Sequence, residues 1–144
     1  MHTRTEPSPT TTVGTYTELV DQVRLEGAYR TRAQAEDAIR VVLAGLGRQL
    51  AGRERLDLAA RLPLEAALLL TAYTAEPRPS NGLRFVKDIA ARTDTTPGVA
   101  RWDTGSVLTV VATLAGADLL TRILTRLPSG WALLFGRAEL APAA

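Results

Sequence analysis

The chain has 144 residues, 46% of them apolar and 22% charged, with a formal net charge of +2 and no cysteine. That length suits one ordinary domain, or two small halves sharing a core, in which roughly 68–70% of the unfolded surface is buried. Without cysteine there are no disulfides, thiol nucleophiles, iron–sulfur clusters or cysteine-based zinc sites, and ten Arg against ten acids in residues 1–82, then seven cations against five acids in 83–144, form no basic block of the kind that neutralises phosphate backbones.

Residues 1–14 are rich in Thr, Pro and Ser, carry too little apolar surface for a core, and are expected to form a tail. No signal-peptide-like apolar run occurs in them, which suggests a cytoplasmic protein. Sixteen of the 17 basic residues are Arg, and with abundant Ala and Leu this usage points to a high-GC bacterial genome rather than to nucleic-acid binding.

The first helix is expected from Thr15, whose hydroxyl can cap the chain while Glu18 reaches back three residues, and Tyr16, Leu19, Val20 and Val23 then share one face as far as Gly27. A second start at Thr31, with Gln34 as its capping partner, leads into a helix running to about Leu50. Its apolar stripe is Ala35, Ala38, Ile39, Val42, Leu43, Leu46 and Leu50, and Gly45 and Gly47 mark the close approach of neighbours. A third segment, Arg53 to Leu62, ends at Pro63. Glu36 with Arg40, and Asp57 with Arg61, are spaced as i,i+4 surface pairs. Leu64 to Tyr73 is apolar on nearly every side and is predicted to be the most buried of these four segments.

Residues 75–82 read as a linker, after which the pattern restarts. Asn81 stands where Thr15 stood, Thr96 with Pro97 repeats the cap at Thr31, and Ala100, Val107, Leu108 and Val111 repeat Ala35, Val42, Leu43 and Leu46. Arg61-Leu62-Pro63 returns as Arg126-Leu127-Pro128, and one residue of slippage falls in a loop. These agreements predict an all-α protein made of two tandem copies of a roughly four-helix unit in one compact bundle. The expected boundaries are a tail at 1–14, a first repeat at 15–74, a linker at 75–82, a second repeat at 83–136 and a short tail at 137–144.

Tyr16-Thr17-Glu18-Leu19-Val20, the run from Ala38 to Leu46, and Leu58-Ala59-Ala60-Arg61-Leu62-Pro63 together resemble the bacterial family named domain of unknown function 2267. Over about residues 15–135 the resemblance implies tandem helical repeats with leucine-proline punctuation, and it supplies no catalytic or ligand residues. The second half departs from the pattern at Asp103 and Thr104, where Ala38 and Ile39 place apolar side chains in the first; Trp102 is read as filling the space.

Candidate chemistry is sparse. Asp103-Thr104-Gly105-Ser106 matches the aspartic-protease signature, but that reaction needs two carboxylates presented by loops of a β-rich body, and here one copy lies in a helical stripe. His2 is the single histidine, and no acidic spacing matches an EF-hand or a di-iron bundle, so no catalytic residue, metal site or cofactor is expected. A nucleic-acid reading rests on the Arg24 to Arg32 region with Arg53 and Arg55, where Glu26, Glu36, Glu54 and Asp57 are interleaved.

The more informative anomaly is the absence of charge from residue 104 to residue 117, a run too short for a membrane span of about 20 apolar residues. A helix without a charged face has that face covered, either within the chain or by a partner. The leading expectation is a non-enzymatic interaction module that self-associates as a homo-oligomer through Thr104, Thr109, Val110, Thr113 and Trp131. Nucleic-acid binding and an apolar small ligand held between the repeats are the alternatives, and for Trp131 and Phe135 a core position is the better reading.

Overall fold

A computed structural model describes residues 14–138, and every regular element within them is an α-helix. Of the two expected tails, only Gly14, Arg137 and Ala138 fall among the described residues. No described helix is long and apolar enough to cross a membrane.

Helix α1 (Tyr16–Gly27) begins with a complete capping box, in which Thr15 Oγ1 accepts the Glu18 amide at 3.1 Å and Glu18 Oε1 accepts the Thr15 amide at 2.8 Å. Two of the donors orphaned at a helix start are thereby satisfied. Ala28 ends the helix in the left-handed conformation, with φ of 53°, and the Tyr29 amide turns back to the Arg24 carbonyl at 3.0 Å. Thr31 and Gln34 form the second capping box and open α2 (Arg32–Gln49), whose whole predicted apolar stripe is buried. A Cβ on Gly47 would stand 1.8 Å from the Leu70 carbonyl oxygen, and one on Gly45 3.0 Å from the Phe85 ring. The two glycines therefore permit the close approaches expected of them.

Next come α3 (Gly52–Ala60) and α4 (Leu64–Leu70), separated by the turn at Pro63. The expectation that the Leu64–Tyr73 segment is deepest in the core is overturned: Leu64 is 70% exposed, Leu68 60% and Tyr73 50%. Two turns of helix present one side to α1, α2 and α3, so Ala66 and Leu70 enter the core and the leucines on the other side face solvent.

Asn81 Oδ1 accepts the Arg84 amide at 2.8 Å to open α5 (Gly82–Thr93). Thr96 accepts the Val99 amide at 3.2 Å to open α6 (Pro97–Ala115), with Pro97 in the first turn, where its missing N–H costs nothing. α7 (Ala117–Arg126) and α8 (Trp131–Leu134) complete the chain. The proline-rich linker is tied down near both ends. The Glu76 amide donates to the Arg48 carbonyl at 2.7 Å, the Ser80 amide to the Gln49 side chain, and the Trp131 indole N–H to the Ser80 carbonyl at 2.8 Å.

The centre of the bundle is the pair α2 and α6, which touch each other; α1 and α5 each lie against both. α4 packs on α2, α8 packs on α6, and α3 meets α7. One continuous apolar core runs through all eight helices and includes the tilted ring contacts Phe85–Trp131 and Trp131–Phe135, with centroids 4.5 and 6.3 Å apart.

The expected i,i+4 surface pairs do not form. Arg40 pairs with Asp37, Asp57 accepts from Arg122 at 2.6 Å, and Arg61 reaches the Ala115 carbonyl at the end of α6. Arg126 lies 3.4 Å from Glu54. For Asp57 a contact across the bundle wins over the local one, because α3 and α7 run close enough for the carboxylates of α3 to meet the guanidinium groups of α7, whereas Arg40 finds a nearer partner on its own helix.

Candidate functional site

The residues predicted to form an interface are mostly inside the protein. Thr104 and Trp131 are fully buried, Val110 is 9% exposed and Thr109 is half-buried against Gly136; only Thr113 is open to solvent. The uncharged face of α6 is covered by α1, α2, α5, α7 and α8 of the same chain, which explains its composition without a partner. Trp102 does not fill the core either. It is 57% exposed, and its indole N–H donates to the Gly27 carbonyl at 2.9 Å, fastening the end of α1 to the start of α6, while Thr104 occupies the buried position.

Beside that fastening, the two halves of the chain line a cavity of about 390 Å³ that is open to solvent. Its apolar floor is Ala38, Val41 and Val42 of α2 with Ile89 of α5. Its polar wall comes from the α1–α2 turn, through Tyr29 and Arg30, from Gln34 and Asp37 in the first turns of α2, from Thr93 and Thr95 at the end of α5, and from Asp103 of α6. The Tyr29 hydroxyl donates to Asp103 Oδ1 at 2.6 Å. Burial, and then the adjoining Asp103 carboxylate, push the Tyr29 hydroxyl far above its usual range, so it remains a donor. Thr93 Oγ1 is turned to its own helix, donating to the Ile89 carbonyl at 2.8 Å, and lies 3.0 Å from the Thr95 hydroxyl. The Gln34 side-chain oxygen is occupied by the Arg30 and Thr31 amides.

The family model described as "Uncharacterized conserved protein (DUF2267)" matches residues 16–134, from the first residue of α1 to the last of α8. The chain belongs to the DUF2267 family. No curated protein gives a significant match to it.

In this DUF2267 chain the Asp103-Thr104-Gly105-Ser106 run lies wholly within α6. Asp103 accepts from a phenol, Thr104 is enclosed, and Ser106 Oγ donates to the Trp102 carbonyl at 2.8 Å. None of these groups is held on a loop, as shared-proton carboxylate chemistry requires. Among the described residues there is no group of three or more His, Cys, Asp or Glu able to hold a metal.

The arginines expected to suit nucleic acid are largely committed elsewhere. Arg24 donates to the Arg30 carbonyl at 3.1 Å, Arg32 pairs with Asp21, and Arg55 donates to the Tyr73 carbonyl. Sequence reasoning singled out Asp103 as a polar intruder in an apolar stripe, and that signal leads to the cavity. It missed Tyr29, whose pairing with a residue 74 positions away leaves no local trace.

Proposed function

We propose that this DUF2267 chain is a non-enzymatic helical binding module that holds a small molecule between its two halves. The observation that carries this reading is the cavity lined by α2, α5, α6 and the α1–α2 turn, where apolar Ala38, Val41, Val42 and Ile89 lie beside the Tyr29–Asp103 pair. At about 390 Å³ it lies at the lower end of the ~300–1,000 Å³ typical of small-molecule sites. Self-association through α6 is the weaker reading, since Thr104, Val110 and Trp131 are enclosed.

The same proposal treats the chain as an internal duplication whose halves diverged around the cavity. In its support, Thr15 and Asn81 cap α1 and α5, and Thr31 and Thr96 cap α2 and α6. Polar Asp103 stands where the first half carries an apolar residue, and it does so at the cavity wall. Native mass spectrometry of the protein purified from its own host, compared with an Ala38→Phe variant that fills the floor, tests the reading. A mass increment present in the parent and absent from the stably folded variant is the expected outcome. An increment that survives the filling places any ligand elsewhere and sinks the proposal.

A further inference from the structure

We infer that the cavity selects a small amphipathic cation, an ammonium or amidinium group on a compact apolar body, with Asp103 as the counter-charge. The inference rests on the reading of the cavity as a ligand site and adds the charge of the ligand. Asp103 is a half-buried carboxylate on the cavity wall, and its hydrogen bond comes from the neutral Tyr29 hydroxyl. Among the described residues no cationic side chain lies within ion-pair distance of it: Arg30, on the same wall, is exposed and makes no ion pair, and Arg24 is drawn to the Arg30 carbonyl. A half-buried carboxylate that lacks a cation attracts one supplied from outside, which offsets part of the cost of its burial.

The remaining walls fit the same guest. Asp37, at the rim, adds a second negative charge, shared with exposed Arg40. The Tyr29 proton fixes one oxygen of Asp103, which orients the other lone pairs of the carboxylate for a second donor. Below them Val41, Val42 and Ile89 offer only hydrocarbon, so a guest that is charged at one end and apolar at the other satisfies both surfaces. An anionic guest meets the carboxylate of Asp103, which has no cation of its own, and Asp37, which is already paired with Arg40, with exposed Arg30 as the one guanidinium of the lining.

Three probes of one shape separate the charge of the guest from the existence of the site: 2-phenylethylammonium, the neutral 2-phenylethanol and the anionic 3-phenylpropionate, each titrated into the full chain and followed by amide chemical shifts. The expected result is that the ammonium perturbs residues of the cavity wall and binds at least tenfold more tightly than the alcohol, with the anion weakest. Asp103→Asn, which keeps an acceptor for Tyr29, should abolish that preference, so that ammonium and alcohol bind alike. Asp37→Asn, at the exposed rim, should weaken the ammonium by a smaller factor and serves as the control should Asp103→Asn prove unstable. Equal binding of ammonium and alcohol, or a preference for the anion, overturns the charge assignment while leaving the cavity reading standing. If all three probes fail to shift the cavity residues at millimolar concentration, both readings fall.

Discussion

Tyr29 is where a single residue connects fold and site. Its hydroxyl joins the turn after α1 to Asp103 on α6, and its pKa is raised by burial and then by that carboxylate. A group whose pKa is raised on folding lends stability that is fully present below its unfolded value, here 10.0, and is lost as the pH rises from there towards the folded value. The unfolded chain gives up the proton first, so alkali favours it. Urea melts at about pH 8 and about pH 11 should therefore show a larger loss of stability in the parent than in Tyr29→Phe. Tyr16, shifted in the same direction mainly by burial, is common to both proteins and cancels in the comparison. At neutral pH the variant should lose about 1.5–3 kcal/mol, the usual worth of a hydrogen bond to a charged group. Identical pH slopes in the two proteins would remove Tyr29 from this role.

At the scale of elements, helix starts were legible in the sequence and helix burial was only partly so. Thr15, Thr31, Asn81 and Thr96 each accept the amide three residues on, so spacing identified the first two caps and their recurrence in the second half identified the others. The α2 stripe was equally clear because its outer face carries charge. α4 lacked that contrast: Leu64, Leu68, Leu69 and Leu70 leave the apolar side of the helix undefined, and only its neighbours decide which leucines are covered. The resulting difference in energy is measurable. Leu70→Ala should cost about 2–5 kcal/mol, since Leu70 is fully buried against α2, whereas Leu64→Ser and Leu68→Ser should each stay within about 0.5 kcal/mol in chemical denaturation. A cost at Leu68 matching that at Leu70 would show that α4 is seated more deeply than this.

For the whole molecule, the all-helical fold and its family were legible because caps, stripes and prolines are local signals, while the candidate site was not, because it is made by the meeting of distant segments. Residue 103 was visible as a break in a pattern; that it faces Tyr29 across the bundle follows only from how α1 lies on α6. The same arrangement bears on whether either half can stand alone. Helix α1 covers α2 on one side and α6 on the other, and α2 and α6 bury their stripes against each other at the centre. Separating the halves would expose Val42, Leu43, Val107 and Val111, which are fully buried in the intact chain, and would also break the Asp57–Arg122 and Glu54–Arg126 pairs between α3 and α7. Each Å² of apolar surface returned to water costs roughly 25 cal/mol, against a net stability of only about 5–15 kcal/mol for a domain, so neither fragment is expected to fold alone. Residues 14–81 and residues 82–138, made separately, should each give collapsed amide spectra without a cooperative melt, and mixing them should restore dispersion and a concentration-dependent transition. A cooperative melt by either fragment alone would mean that each half has its own core, and the cavity would then lie at a domain interface rather than within a single packed body.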